Sequence, residues 1–225
     1  MKIASAAQIR ALDQATIEKE PITSYDLMER ASKTFCDWFA DNFSEDRPVW
    51  IFCGTGNNGG DGLAIARILQ KRFFSVRAFV GGTETDTRSP DNQKNLIRLQ
   101  EEKNVPITFF HNVGDFPYPD ASVILIDALF GSGLNRPIEG FWKDVIMWLN
   151  EKSCERVAVD VPSGLMADQA STGTIFLADH TLSFELPKLA FFFPENGPFL
   201  GNWDIASIGL DASSIEDMDS HYQVI

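Results

Sequence analysis

The sequence predicts an α/β fold in which a mostly parallel sheet is covered by helices on both faces. Short apolar segments alternate with segments of helical periodicity, and one apolar segment is followed by a glycine-rich loop and then a helix. The 225 residues, of which 44% are hydrophobic, can bury a large core in one large domain or two small ones.

Two helices precede the first strand. The first begins at a capping box formed by Ser5 and Gln8 and carries Ile9, Leu12 and Ile17 on its apolar side. The second begins near Thr23 or Ser24. Its apolar residues recur at helical spacing, at Leu27, Met28, Ala31 and Phe35.

Strands and helices then alternate along the chain. Six short apolar segments are predicted as strands, at 49–53, 76–80, 107–110, 123–126, 157–161 and 181–184. Helical patterns lie between several of them, at 62–71, 89–102 and 141–151.

Composition narrows the class of protein. A net charge of −13 argues against nucleic-acid binding, which needs a basic face. No segment approaches the ~18 apolar residues of a membrane span, and the N-terminal residues lack the apolar core of a signal peptide. The three cysteines are odd in number and far apart, as expected of reduced thiols, so we expect a cytoplasmic protein.

The segment 54–62 contains five glycines in nine residues. Because glycine loses much backbone entropy on folding, we expect these residues to let the backbone approach a ligand rather than to serve packing. The amide groups at the start of the next helix would suit an anion such as phosphate.

The glycine spacing also matches the motif of nicotinamide dehydrogenases at Gly54, Gly56 and Gly59. Those enzymes carry an acidic residue about 20 residues further on, at the end of the second strand, to bind the ribose. The segment 76–82 has none, so an oxidoreductase is the weaker prediction.

Two further strand ends carry carboxylates. Asp127 and Asp160 each follow a hydrophobic strand, where a carboxylate is costly without a partner. Either could be a helix cap or turn former, but together they favour a site, because ligands of open parallel sheets bind beyond the carboxyl ends of the strands. Lys188 is either a surface charge beside a turn or, if buried near a carboxylate, an acid/base or phosphate partner. Arg136 is a solvated loop residue or a phosphate partner.

Three motifs together resemble the YjeF N-terminal domain family, the NAD(P)H-hydrate epimerases. They are Asn57-Asn58-Gly59-Gly60-Asp61-Gly62, Asp127-Ala128-Leu129-Phe130-Gly131-Ser132-Gly133-Leu134 and Val159-Asp160-Val161-Pro162-Ser163-Gly164-Leu165. The segment 27–31 and Pro187-Lys188 also resemble the family, and the similarity extends from about residue 3 to residue 211. Ser132 is a mild departure, since the family often has threonine there.

The resemblance implies a Rossmann-like three-layer domain over residues 1–211, usually dimeric. Residues 212–225 would be a polar acidic tail or a linker to a dehydratase domain. The implied activity is the interconversion of the R and S forms of hydrated NADH or NADPH, so that a partner or fused dehydratase acting on the S form can restore the cofactor.

The resemblance also implies a set of site residues. One potassium ion per subunit would be bound by Asn58, Asp127 and Ser163, since oxygen ligands suit a hard cation. The substrate would contact Asn57, Asn58, Gly59, Gly60, Asp61, Gly131, Ser132, Gly133, Leu134, Asn135, Arg136 and Asp160.

The chemistry of such a hydrate indicates what the site must do. The reacting carbon carries both a hydroxyl group and the ring nitrogen, so either ring opening or loss of water makes it planar. Both routes need a proton delivered and removed near the hydroxyl. We expect Asp160 to be the acid/base residue, with Lys188 supporting it through charge or as the second proton carrier.

Two alternatives belong to other classes. One is a non-catalytic nucleotide-binding or protein-interaction module of the same fold, which the intact Asn58, Asp127 and Asp160 disfavour. The other is the NAD-dependent oxidoreductase considered above.

Overall fold

The computed structural model describes residues 2–220 and residue 222. Its strands are β1 (Val49–Cys53), β2 (Val76–Gly81), β3 (Ile107–Phe110), β4 (Ile124–Ala128), β5 (Glu155–Val159), β6 (His180–Phe184) and β7 (Asn202–Ala206). They form one parallel sheet in the order β3-β2-β1-β4-β5-β6-β7. The predicted α/β fold is confirmed.

Helices precede, connect and follow these strands. They are α1 (Ala6–Lys19), α2 (Ser24–Asn42), α3 (Asn57–Lys71), α4 (Pro90–Glu102), α5 (Gly140–Asn150), α6 (Gly197–Leu200) and α7 (Ala212–Asp217). Capping boxes begin the first two, formed by Ser5 with Gln8 and by Thr23 with Asp26. Among the described residues, no helix has an apolar stretch long enough to cross a membrane.

The sheet separates two apolar cores. Along β1, Val49 and Ile51 belong to one core, whereas Trp50 and Phe52 belong to the other. Buried side chains of α1, α2, α3 and α4 fill the first core, and those of α5 fill the second. Helices therefore cover both faces, as predicted.

Several element bounds differ from the predicted ones, and three of these differences matter for the site or the sheet. β7 has no predicted counterpart, since its sequence Asn202-Trp203-Asp204-Ile205-Ala206 alternates instead of forming an apolar run. β5 ends at Val159 rather than at residue 161, and β4 extends to Ala128. Asp127 therefore lies within β4 rather than beyond it.

The glycines of segment 54–62 serve packing, so the prediction that they do not was wrong. A Cβ atom on Gly59 would lie 1.9 Å from the carbonyl oxygen of Gly54, and one on Gly62 would lie 2.6 Å from Cβ of Ala128. Only a Cβ atom on Gly56 would meet open space. These close approaches let α3 begin at Asn57, before the predicted start at residue 62, and lie directly on the sheet. Four of the five glycines are crowded in this way, namely Gly54, Gly59, Gly60 and Gly62.

The segment after Leu210 contributes contacts to the N-terminus. Nζ of Lys2 donates to the carbonyl oxygens of Ile215 (3.0 Å) and Met218 (2.6 Å), on and just after α7. The division of the chain at residue 211 stays a prediction. Residues 221 and 223–225 of the predicted tail lie outside the described residues.

Candidate active site

A cavity of about 740 Å³ lies where the strand order reverses, between β1 and β4. Parallel sheets bind ligands at this point, beyond the carboxyl ends of the strands. One side of α1, the start of α2 and the first turns of α3 also line it. The predicted site residues that line it are Asn57, Asn58, Asp61, Gly131, Ser132, Gly133, Leu134, Asp160 and Lys188.

A second cavity of about 370 Å³ adjoins the first across the loop after β4. Both cavities are lined by Ser132, Gly133 and Leu134, and the second also by Asn135. Gly59 and Gly60 line neither cavity.

Asp160 follows β5 in a conformation that few non-glycine residues adopt, with a φ of +66°. Its Oδ1 accepts hydrogen bonds from Nζ of Lys188 (2.5 Å), Oγ of Ser183 (3.2 Å) and the backbone amide of Phe184 (3.2 Å). Left-handed backbone of this kind concentrates at functional sites, where the surroundings hold it in place. Three donors thus fix the carboxylate at the cavity wall.

Lys188 is completely buried, with a relative exposure of 0%, and is not a surface charge. Besides Asp160, its Nζ donates to Oγ of Ser183 (2.8 Å) and to the carbonyl oxygen of Phe184 (3.0 Å). An ammonium group has three protons, and each has an acceptor here. Lys188 therefore balances the charge of Asp160 and fixes its position.

Asp127 is also completely buried, but its partners differ. Its Oδ1 accepts from Oγ of Ser163 (2.6 Å) and the amide of Leu129 (3.1 Å), and its Oδ2 accepts from the amide of Ser163 (2.7 Å). Burial raises the pKa of Asp127 to about 6, although these hydrogen bonds oppose the rise. Within residues 2–220 and 222, no cationic side chain pairs with it.

Asn58, in the first turn of α3, has a buried amide nitrogen without a hydrogen-bond partner in the described part of the chain. A Cβ atom on Gly131 would lie 3.2 Å from Cβ of Asn58, so the two residues are neighbours. Oγ of Ser163 accepts from the amide of Phe130 at 2.8 Å. Asp127, Ser163 and Asn58 therefore contact three successive residues of the loop that follows β4.

Three more carboxylates line the main cavity, those of Asp13, Asp61 and Asp91. Burial raises the pKa of Asp61 well above its usual range, and the charges of Asp160 and Asp13 add to the rise. Burial, and next the charge of Asp160, raise the pKa of Asp13 to about 6, whereas Lys188 opposes the rise. The cavity is thus lined by four carboxylates and one buried ammonium group.

Sequence reasoning missed Asp13, although a signal existed. Ile9 and Ile17 were placed on the apolar side of the first helix, and Asp13 lies midway between them at four-residue spacing. It also missed Asn92, whose Nδ2 donates to the carbonyl oxygens of Gly54 (2.9 Å) and Gly56 (2.8 Å) and fixes the glycine segment.

Two arginines could meet an anionic ligand, and only Arg136 was predicted from the sequence. Arg136 is exposed and lines neither cavity. Arg10, on α1, lines both cavities and forms no ion pair with any described residue.

Comparison with known proteins identifies the family of this chain. The family described as YjeF-related protein N-terminus matches residues 24–190. The chain belongs to this family. The resemblance predicted from the three motifs is confirmed.

Relatives of this YjeF-family chain include both short and long proteins. It is 33% identical over 203 residues to an NAD(P)H-hydrate epimerase of Limosilactobacillus fermentum, covering 90% of the chain and 94% of the relative. It is 29% identical over 225 residues to a bifunctional NAD(P)H-hydrate repair enzyme Nnr of Thermofilum pendens, covering 96% of the chain but 42% of that relative. In some species, the family domain is therefore part of a longer protein.

A solved structure shares the fold. The crystal structure of yeast YNL200c superimposes with a TM-score of 0.75, covering 92% of this YjeF-family chain and 88% of the yeast chain, at 21% identity. At this identity, the likeness supports the fold alone.

Proposed function

We propose that this YjeF-family domain is an NAD(P)H-hydrate epimerase, an isomerase that interconverts the R and S forms of hydrated NADH and NADPH. The observation that carries the proposal is the Asp160–Lys188 pair, held at the wall of the central cavity. Relatives of nearly the same length, such as the one from Limosilactobacillus fermentum, carry that name.

The epimerisation requires proton transfer but no redox change. Loss of the hydroxyl as water leaves an iminium in which the reacting carbon is planar, and water can then return to either face. Asp160 lies in the cavity to exchange a proton with this oxygen, a task suited to a positioned carboxylate. Lys188 keeps the carboxylate oriented and compensates its charge.

We also propose that the site binds a potassium ion through Asn58, Asp127 and Ser163. Asp127 is a buried carboxylate without a cationic partner in the described residues, and Ser163 adds a hydroxyl oxygen beside it. Turning the Asn58 amide would present its oxygen where its nitrogen now lacks a partner. This set of hard oxygen donors fits a hard monovalent cation. When bound, the ion supplies the positive charge that Asp127 lacks.

The phosphates of the substrate need positive partners in a chain of net charge −13. Arg10 borders both cavities, and the N-terminus of α3 has no side-chain cap over its amide groups. We therefore assign the diphosphate to the region between the two cavities, near Arg10 rather than Arg136.

The family resemblance supplies the rest of the proposal. We expect a cytoplasmic homodimer that works with an S-specific dehydratase, as a separate or fused partner. The bifunctional repair enzyme of Thermofilum pendens, of which the chain spans 42%, supports this pairing.

The test is to follow both epimers by chromatography after adding the protein to R-enriched hydrated NADH, in potassium and in sodium buffer. We expect a faster approach to the epimer equilibrium, fastest with potassium. A folded protein that binds the hydrate without accelerating the reaction is a binding module instead. Hydride transfer to a second substrate would identify an oxidoreductase.

A further inference from the structure

Asp13 of α1 is a carboxylate in the main cavity to which the proposed function gives no role. Resting on that function, we propose that Asp13 is the second proton carrier of the epimerisation and donates the proton that Asp160 does not. Asp13 would be a catalytic residue, in contact with the substrate hydroxyl.

The need for a second carrier follows from the contacts of Lys188. All three of its ammonium protons are donated to Asp160, Ser183 and Phe184, and its side chain, although it borders the cavity, has a relative exposure of 0%. Donation to the substrate would break one of these buried hydrogen bonds and leave its acceptor unpaired, which is costly. Lys188 is therefore a poor proton donor, and the role falls to another group.

Helix α1 holds Asp13 in a defined place. Ile9, Asp13 and Ile17 form one row along the helix, and all three line the cavity. The helix is fixed near both ends, because Oδ1 of Asp168 accepts from the amide of Ala6 (2.8 Å) and Oγ1 of Thr16 accepts from the amide of Asp211 (2.9 Å). The Asp13 carboxylate itself has no hydrogen-bond partner in the described part of the chain, so it is available to a ligand.

The surroundings of Asp13 suit a group that carries a proton and releases it. Asp160 and Glu185 disfavour its ionised form, and Lys188 favours it. Asp61, Asp91 and Arg10 are the other charged groups that line this cavity. Burial, and next the charges of Asp160 and Glu185, raise the pKa of Asp13 to about 6 against the opposing charge of Lys188, and this value is close to the pH at which an acid catalyst works.

Asp61 is the rival carrier, but its environment is less suitable. Its pKa is raised well above the usual range by burial, with Asp160 and Asp13 adding to the rise. A group held firmly in the protonated form donates hydrogen bonds but does not readily give up its proton. Two carboxylates in unlike environments, one paired with an ammonium group and one not, are the usual basis for acid and base roles.

The proposed step balances as follows. Asp13 gives its proton to the substrate hydroxyl, the C–O bond breaks as the ring-nitrogen lone pair forms the C=N bond, and water leaves. A second water forms a C–O bond at the other face, the π electrons return to nitrogen, and Asp160 takes the proton. The proton then returns from Asp160 to Asp13 through solvent.

The experiment compares Asp13→Asn and Asp61→Asn with the wild type and with Glu18→Gln, a matched change at an exposed carboxylate of α1 outside the cavity. The rate from R to S would be measured from pH 5 to 9 at saturating potassium, with thermal melting as the folding check. For Asp13→Asn, we expect kcat to fall about 10²- to 10⁴-fold with little change in KM. Glu18→Gln should match the wild type.

The pH profile separates a proton carrier from a structural residue. The protonated form of Asp13 is the active one, so wild-type activity should fall as pH rises through about 6, and Asp13→Asn should lose this decline. Asp13→Glu, which keeps an acid, should retain the decline at a reduced rate, even if Asp13→Asn folds poorly.

Three outcomes would overturn the assignment: wild-type kcat in Asp13→Asn, an unchanged pH profile in that variant, or loss of the decline in Asp61→Asn instead. A wild-type protein without epimerase activity would overturn the proposed function itself, so the two failures are distinguishable.

Discussion

Asp127 and Asp160 belong to the ends of neighbouring strands and come from the same sequence pattern, a carboxylate after an apolar run. The structure gives them opposite surroundings. Asp127 stays in register within β4, opposite Ala158, and is closed off from the cavity. Asp160 lies just beyond β5, where a φ of +66° turns the chain and brings the carboxylate to the cavity wall.

Their partners differ as much as their positions. Asp127 is held by neutral donors from Ser163 and Leu129, so its charge is solvated by hydrogen bonds but not compensated. Asp160 is paired with the buried ammonium of Lys188. The difference teaches that the role of a strand-end carboxylate depends on its counter-charge and its access to a cavity, neither of which the strand pattern specifies.

The largest expected effect is on kcat, from a substitution of Asp160. Asp160→Asn keeps the size of the side chain but removes proton transfer, so we expect kcat to fall about 10²- to 10⁴-fold in the epimer assay. The change also leaves Lys188 buried without a counter-ion, which destabilises the fold. The double variant Asp160→Asn with Lys188→Met removes both charges and serves as the folding control. Near-native epimerisation by a folded single variant would contradict the role of Asp160.

An intermediate effect is expected from the serines that bind the two aspartates, Ser163 beside Asp127 and Ser183 beside Asp160. Both serines are fully buried. Ser163→Ala removes a donor to Asp127, and we expect a loss of about 1–3 kcal/mol, seen as a fall of roughly 3–10 °C in Tm. Its rate should recover as potassium is raised. Ser183→Ala disturbs Asp160 and Lys188 instead, so its rate, about tenfold lower, should not respond to potassium. Equal potassium responses in the two variants would remove the proposed distinction.

The smallest expected effect is a change in KM that shows where the substrate phosphates bind. If the substrate extends from Asp160 into the second cavity, Arg10→Gln should raise KM about five- to tenfold, as loss of one solvent-exposed charged contact of roughly 1 kcal/mol predicts. Arg136→Gln should leave KM unchanged, since Arg136 lines neither cavity. The reverse result would assign the phosphates to Arg136.

Apolar periodicity was enough to predict most of the fold. Buried parallel strands are continuous apolar runs, and six of them were found on that basis, whereas the partly exposed β7, at the edge of the sheet, alternates and was missed. The start of α3 was missed for a different reason. Asparagine and glycine disfavour helices, and here packing against the sheet overrides that preference.

From the sequence, only those site residues that belong to recognisable motifs could be predicted. Asp160 and Lys188 were named from the sequence, but their contact at 2.5 Å depends on how β5 and the segment after β6 meet, which spacing alone does not determine. Neither Asp13 nor Asn92 belongs to a recognisable motif. Each lies in an amphipathic helix, where a polar residue is usually on the solvated face. Their roles become visible only when the helices are placed against the sheet.

Helix α1 precedes the other described helices, yet two of the contacts that hold it come from residues far along the chain. The residues that hold it, Asp168 beside Ala6 and Asp211 beside Thr16, follow 162 and 195 residues later in the chain. A domain emerges from the ribosome from its N-terminus, and contacts over such separations form slowly because they close long loops. On a growing chain, β1 to β5 can be translated while these two contacts of the wall that carries Asp13 are still missing. The active site therefore lacks one of the contacts that hold the Asp13 helix until Asp211 has been translated, so epimerase activity on a growing chain should appear only after that point.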